Sequence, residues 1–339
     1  MKAWTVTSPG KLELVESPSE SAGAGCVKIK VLESLISKPD VNVYSGKADV
    51  PLPVCPCGFC VGMVIETGAD VHGLERGDRV FVRSQQSCGT CADCRAGKSW
   101  KCENTKIRGY SCDGFMRDFA VVPEADCVKI PDRVKNDEAV FIDYISLAVQ
   151  TIAALDLDKG DYLAVCGAST LGIVLGQVAL YYQAVPIIID SNPEYLATAK
   201  SLGLYYTVDA SETDPRTKIF HITGGKMAER VAHIASGNIP LSRSIDFTAR
   251  GGMLAVIGRF GCIDAIPCSL ENAVRNGITI TGITNGAKNA QVAINMLVSK
   301  AVTVLPLINK TVSFDDIPSA LEECATIKLN HFKTLIKFD

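Results

Sequence analysis

The chain has 339 residues, 47% of them apolar and 21% charged, with a formal net charge of -3 at pH 7. At ~100–200 residues per domain this length predicts two or three domains with sizeable cores, and the composition excludes a disordered chain. The charge balance argues against a nucleic-acid backbone or an anionic membrane surface as the main partner. No apolar run approaches the roughly 18–20 residues of a membrane span. The first six residues, Met1 to Val6, read as a strand rather than a signal peptide. The expectation is a cytoplasmic protein with a small-molecule partner, no nucleic acid and no membrane.

Residues 1 to about 150 carry short Val- and Ile-rich runs broken by Gly, Pro, Ser and Asp, the pattern of an all-β unit. Arg79–Val82 is one predicted buried strand. From about 150 the texture changes. Tyr162–Cys166 is an apolar run ending at a glycine, Leu171 to Tyr182 reads as a helix, and Val185–Asp190 as a second strand. Ser191, Pro193 and Glu194 then look like a capped helix start with Ser191 as the cap. Strand–helix–strand–helix at this spacing predicts a parallel sheet with right-handed crossovers. Further strands are expected at Ser244–Phe247, Met253–Ile257 and Ile278–Thr281. A helix is expected from Ala290 to Lys300, with strands near Val312 and Leu335.

The turn Gly167-Ala168-Ser169-Thr170-Leu171-Gly172 follows the first strand of this second region. It is G-x-G-x-x-G with Ser169 in place of the middle glycine. Gly167 allows the tight turn, and Gly172 lets the helix pack close to the strand. The helix N-terminus offers free N–H groups and a positive dipole end to a pyrophosphate. Asp190 ends the next strand, 23 residues after Gly167. A carboxylate there accepts hydrogen bonds from ribose hydroxyls and repels a 2′-phosphate, which favours NAD over NADP. The bland alternative is a strand–helix turn beside a solvated acid.

The 14 cysteines outnumber the four histidines, and they cluster. Cys88, Cys91, Cys94 and Cys102 form C-x2-C-x2-C-x7-C. Four thiolates this close can close a tetrahedral site with no open position, so the expectation is one structural zinc per subunit. Arg95, Lys98 and Lys101 would offset its negative charge. An iron–sulfur cluster or four unligated thiols are the alternatives.

Together, in this order, the two motifs resemble the medium-chain dehydrogenase/reductase superfamily, on its zinc alcohol and polyol dehydrogenase branch. The stretches Val61–Gly68, Gly77–Val80 and Gly251–Gly258 extend the resemblance along the whole chain. It implies a mainly-β GroES-like catalytic domain at 1–148, with the zinc lobe at 86–104. It further implies an α/β Rossmann NAD-binding domain with a parallel sheet at 149–285, and a C-terminal return to the catalytic domain at 286–339. It also implies a homodimer or homotetramer, with Ile263–Cys268 as a contact strand.

The resemblance breaks where zinc-dependent members hold their catalytic metal. Their Cys, His and Glu-or-Cys ligands fall here on Ser37, Gly58 and Asp143, the last 24 residues before Gly167. Gly58 has no side chain, and Ser37 is a neutral hydroxyl. One carboxylate does not hold zinc, so an empty catalytic metal site is expected. The proton relay is altered too, with Pro39 and Asn42 in place of a hydroxyl residue and a histidine. Cys55, Cys57 and Cys60 either serve as small buried apolar residues or build a rewired thiolate site with Asp143.

Zinc normally polarises the substrate oxygen, worth several kcal/mol. A positioned acid can take over, contributing typically ~10²–10⁴-fold. An activated C=C beside a carbonyl can instead delocalise its own charge. The candidate acids are Asp143, Tyr44, Tyr144 and Ser37. Asp143 would hold a proton if it shared an apolar pocket with Phe59, and is otherwise a structural ion-pair partner. The two tyrosines are otherwise packing residues. Three functions follow from the residues: an NAD-dependent oxidoreductase without catalytic zinc, an alcohol or polyol dehydrogenase with a non-standard metal, and a non-catalytic NAD-binding relative.

Overall fold

The computed structural model describes residues 1–98, 101–235, 237–258, 270–326 and 332–338. The expected contact strand Ile263–Cys268 lies outside them. Two compact units emerge: Met1–Asp143 together with Leu307–Asp339, and Tyr144–Pro306.

The first unit is built on a seven-stranded sheet. Its order is Lys310–Ser313, Thr334–Lys337, Cys26–Ile36, Cys60–Thr67, Arg79–Val82, Cys127–Lys129, with Phe119–Pro123 pairing on Cys26–Ile36. Alternation along the long strand buries Val27, Ile29 and Val31, which pack with Val64, Val80, Phe115 and Met116. Period-two burial is what a sheet with one face on a core requires. The C-terminal strand Thr334–Lys337 runs antiparallel to Cys26–Ile36, Thr334 opposite Ile36. This pairing returns the end of the chain to its beginning. Residues from Leu307 to Asp339 group with the first unit, and residues up to Pro306 with the second. The unit is not all-β: helices Lys38–Tyr44 and Asn136–Ala139 interrupt it.

The second unit holds six parallel strands in the order Tyr206–Asp209, Val185–Asp190, Tyr162–Cys166, Ala228–Ile234, Thr248–Ile257, Thr279–Ile283. Tyr162–Cys166 and Val185–Asp190 are near-continuous apolar runs, buried along most of their length as central parallel strands are. Strand order reverses beside Tyr162–Cys166, and Gly167 leaves that strand at its carboxyl end, where open α/β sheets bind ligands.

Two local expectations are corrected. Ser244–Phe247 is not a strand: Leu241–Asp246 is a helix that begins after Pro240 and buries Ser244 and Ile245. Ser191 is not the cap of helix Pro193–Ser201. Asn192 is, its side chain accepting the Glu194 N–H at 3.0 Å with Pro193 in the first turn. Helix Thr170–Tyr181 is shifted by one residue from the expected span, and helix Ala290–Val298 ends two residues early. Among the described residues no helix is long and apolar enough to cross a membrane.

Candidate functional site

In the second unit, the glycine turn is drawn tight by two contacts that exclude side chains. Gly167 has φ +114°, and a Cβ there would stand 3.2 Å from Ile234 Cβ. A Cβ on Gly172 would stand 1.9 Å from the Gly167 carbonyl oxygen. Gly167 is thus required by its positive φ and the neighbouring strand Ala228–Ile234, and Gly172 by the approach of helix Thr170–Tyr181 to the turn. Ser169 occupies the N-cap position without a side-chain cap bond, so first-turn N–H groups remain for an external acceptor. Thr170 Oγ1 is buried without a hydrogen-bond partner, and Leu171 is buried beside it. An orphaned hydroxyl at a helix N-terminus is a donor waiting for an anion oxygen, and the turn fits the pyrophosphate of a dinucleotide.

Asp190 does more than stand ready for a ribose. It is 2% exposed. Its Oδ2 accepts the Ala168 N–H at 2.6 Å and its Oδ1 the Asn192 N–H at 2.9 Å. One carboxylate thus ties the glycine turn to the start of the next helix. A ribose hydroxyl would have to use its remaining lone pairs.

In the first unit, Cys88, Cys91, Cys94 and Cys102 bring their sulfurs within 4.8 Å of one another, the only set of three or more ligating side chains so gathered among the described residues. Cys88 and Cys94 sulfurs are 4.0 Å apart. A zinc tetrahedron with bonds of about 2.3 Å needs sulfurs about 3.8 Å apart. Backbone N–H groups already point at them: Cys91 to Cys88 Sγ at 3.3 Å, Cys88 to Cys102 Sγ at 3.3 Å, Cys94 to Cys91 Sγ at 3.5 Å. The Thr90 and Cys91 N–H groups hold the Cys88 thiol down to about 5. The donor set fits a closed tetrathiolate site.

The three positions expected to hold a catalytic metal are built differently. Ser37 starts helix Lys38–Tyr44, and its N–H and Oγ both donate to Asp40 Oδ2. Asp40 Oδ1 accepts the Cys57 N–H at 2.8 Å. Burial pushes Asp40 above the ordinary carboxylate range, against the pull of the Ser37 and Cys57 hydrogen bonds. The Ser37 hydroxyl is therefore committed to a buried local network. A Cβ on Gly58 would stand 3.0 Å from Arg108 O and 3.5 Å from Ser84 Cβ. That wall is pinned. Arg108 N donates to Ser84 O at 2.9 Å, and the Arg108 guanidinium is locked by Arg83 O and by Asp126 Oδ2 at 2.7 Å. A histidine at 58 has no ready room. Asp143, in the first turn of helix Ile142–Ala154, accepts from Ser84 Oγ at 3.1 Å. Ser84 was not legible in the sequence as a site residue; it follows strand Arg79–Val82 in no motif, and only folding sets it beside Asp143 and Gly58.

The remaining candidates are core. Cys55, Cys57 and Cys60 are almost wholly buried, and burial pushes Cys55 up to about 12 and holds Cys57 and Cys60 well above the ordinary thiol range. Cys57 Sγ donates to Leu35 O at 3.4 Å. These are protonated thiols in the core of the first unit, and among the described residues they form no ligating cluster with Asp143. Phe59 packs its ring 6.2 Å from that of Phe81. Tyr44 packs against the cluster of Val6, Val43 and Val54, and Tyr144, in the other unit, is buried.

Comparison with known proteins accounts for both units. Residues 23–132 match the alcohol dehydrogenase GroES-like domain, and residues 170–299 the zinc-binding dehydrogenase domain. An uncharacterized zinc-type alcohol dehydrogenase-like protein of Haemophilus influenzae is 27% identical over 335 residues, 98% of this chain and 97% of that one. An L-threonine 3-dehydrogenase of Mesorhizobium japonicum is 33% identical over 249 residues, 72% of each chain. A short-chain alcohol dehydrogenase of Escherichia coli CFT073, solved with NADH, shares the fold with a TM-score of 0.90 at 24% identity, covering 100% of this chain and 99% of that one. The chain belongs to the medium-chain dehydrogenase/reductase superfamily and is an alcohol dehydrogenase-like oxidoreductase.

Proposed function

We propose that this protein is an NAD(H)-dependent oxidoreductase that moves hydride to or from a small carbonyl, alcohol or activated alkene without a catalytic zinc. One observation carries the reading. Of the three ligand positions, Ser37 has given its hydroxyl to Asp40, Gly58 has no side chain and faces a pinned carbonyl, and only Asp143 keeps a metal-binding group. One carboxylate and a serine hydroxyl are a poor set for zinc, which is held by three protein ligands in catalytic sites.

NAD, when bound, supplies the hydride acceptor or donor. Gly167, Ser169, Thr170, Leu171, Gly172 and Asp190 are the residues that would hold it. The chain's own share of the chemistry is the proton. Asp143 takes the hydroxyl proton of an alcohol, or returns one to the oxygen formed on a carbonyl. Ser84 positions the carboxylate for that transfer. Ser37 and Tyr44 recede from this role because one is bound to Asp40 and the other packs in the core. The cysteine cage would carry one zinc that folds the 86–104 lobe. A homodimer or homotetramer is supported by the edge strand Thr279–Ile283 with its exposed Ile280, and by the exposed Val274 on helix Glu271–Asn276.

Metal analysis joined to a substrate panel tests the reading. The expected result is about one zinc per subunit together with NADH oxidation on at least one carbonyl or enone, with L-threonine included for the reverse direction. Two zincs per subunit, both needed for turnover, would overturn the zinc-free site. No turnover on any panel member, with NADH bound, would favour a non-catalytic role.

A further inference from the structure

Away from these sites, the first unit contains a cavity of about 260 Å³ whose lining includes Lys28, Gln86, Arg117 and Phe119. Arg117 is the anomaly. Its Nε is buried without a hydrogen-bond partner, and no acceptor among the described residues answers the rest of its guanidinium. Arg108, which lines the same cavity, shows the ordinary solution: it is paired with Asp126 and with the Arg83 carbonyl. A buried donor left unanswered costs on the order of 1–3 kcal/mol, and Arg117 as a whole is only half-buried, so its guanidinium is open to an acceptor from outside.

We propose that this cavity binds a small anion bearing a carboxylate or phosphate group, gripped by Arg117. A planar guanidinium presents parallel N–H donors to either group. Lys28 adds a second positive charge; its Nζ lies 6.0 Å from the centroid of the Phe119 ring. Gln86 offers an amide, and Phe119 gives an apolar wall for an attached ring or alkyl chain. Two carboxylates, Asp113 and Glu20, also border the cavity, against the cations Lys28, Arg108 and Arg117. Asp113 accepts the Cys55 N–H at 2.9 Å, which anchors it to the backbone, and Glu20 is exposed. Neither forms an ion pair with Arg117. The backbone of Arg117 is held by a bridge to Ala3 and leads into strand Phe119–Pro123, so the guanidinium is presented from fixed structure.

The test is calorimetric titration of the full-length, zinc-loaded chain with sodium benzoate and, separately, inorganic phosphate, at constant ionic strength and with NADH present to fill the glycine turn. Saturable binding of at least one anion is expected, and which one binds separates a carboxylate from a phosphate ligand. Arg117→Gln should weaken it at least ~tenfold, as loss of a charge-assisted pair does, and Lys28→Gln by a few fold. Absence of saturable binding by both anions overturns the proposal, as does unchanged affinity in Arg117→Gln. If Arg117→Gln does not fold, unchanged affinity in Lys28→Gln overturns it. Neither result bears on hydride transfer, which uses other residues.

Discussion

Ser84 Oγ donates to Asp143 Oδ2 at 3.1 Å, and Ser84 Cβ is also 3.5 Å from where a side chain on Gly58 would begin. A hydroxyl–carboxylate pair thus stands beside the position where relatives with a catalytic zinc place a histidine. Because Ser84 contributes one hydrogen bond and no charge, Ser84→Ala should lower kcat about tenfold with little change in KM, and Ser84→Thr should restore most of it. Asp143→Asn removes the proton acceptor and should lower kcat by ~10²–10⁴-fold. Steady-state rates on the best substrate of the panel, taken across pH, check this. An Asp143→Asn enzyme with undiminished kcat would sink the assignment.

The cysteine cage makes a separate prediction. Four sulfurs share one charge-dense site, so loss of any one leaves an open, weaker coordination shell. Cys94→Ser should reduce bound zinc from about one per subunit to nearly none. The 86–104 lobe should then become sensitive to protease. NADH affinity should change less than ~twofold, because the glycine turn lies in the other unit and metal binding is folding free energy local to the lobe. Zinc retained at one per subunit in Cys94→Ser would show that the cage is not its site.

His233 is 2% exposed, and its Nδ1 lies 2.9 Å from Ser244 Oγ. Burial pushes it down to about 4 from 6.5. Between those values the unfolded chain binds a proton that the folded chain refuses, so stability falls as pH drops through this window and levels off below about 4. By pH 4.5 the loss from this one group should be about 2–3 kcal/mol relative to pH 7.5. His233→Asn keeps a polar partner for Ser244 and removes the titration. Urea unfolding at the two pH values should show a smaller pH effect in the variant by that amount; equal pH effects would mean that His233 is not refusing a proton.

Much of the architecture was legible because periodicity and turn chemistry agreed. Tyr162–Cys166 and Val185–Asp190 were bounded correctly, since fully buried parallel strands are apolar throughout and end at a glycine or an acid. Ser244–Phe247 misled because four residues with Ile and Phe suit either a strand or one face of a short helix, and Pro240 decides between them. The cage was readable because its ligands are close in sequence. Asp143 was singled out by its spacing from Gly167. Ser84, Asp40 and Arg108 carry no local pattern; their roles come from contacts 59, 17 and 18 residues distant. Arg117 was invisible for the same reason, because what sets it apart is that its buried Nε has no partner among the described residues.

Thr170 Oγ1 gives a prediction in which stability and affinity move in opposite directions. The hydroxyl is buried and unpartnered in the folded chain. Replacing it with a methyl of the same shape removes an unsatisfied polar group, which should raise the stability of the nucleotide-free protein by about 1 kcal/mol. If the hydroxyl is kept for a pyrophosphate oxygen, Thr170→Val should weaken NADH binding roughly fivefold to tenfold, the worth of one hydrogen bond to a charged group. Thermal unfolding without nucleotide and fluorescence titration with NADH measure the two halves independently. A variant that is stabilised yet binds NADH as tightly as the natural chain would show that the glycine turn holds its ligand through backbone N–H groups alone. A variant that loses both would mean that the hydroxyl has a partner in the folded protein.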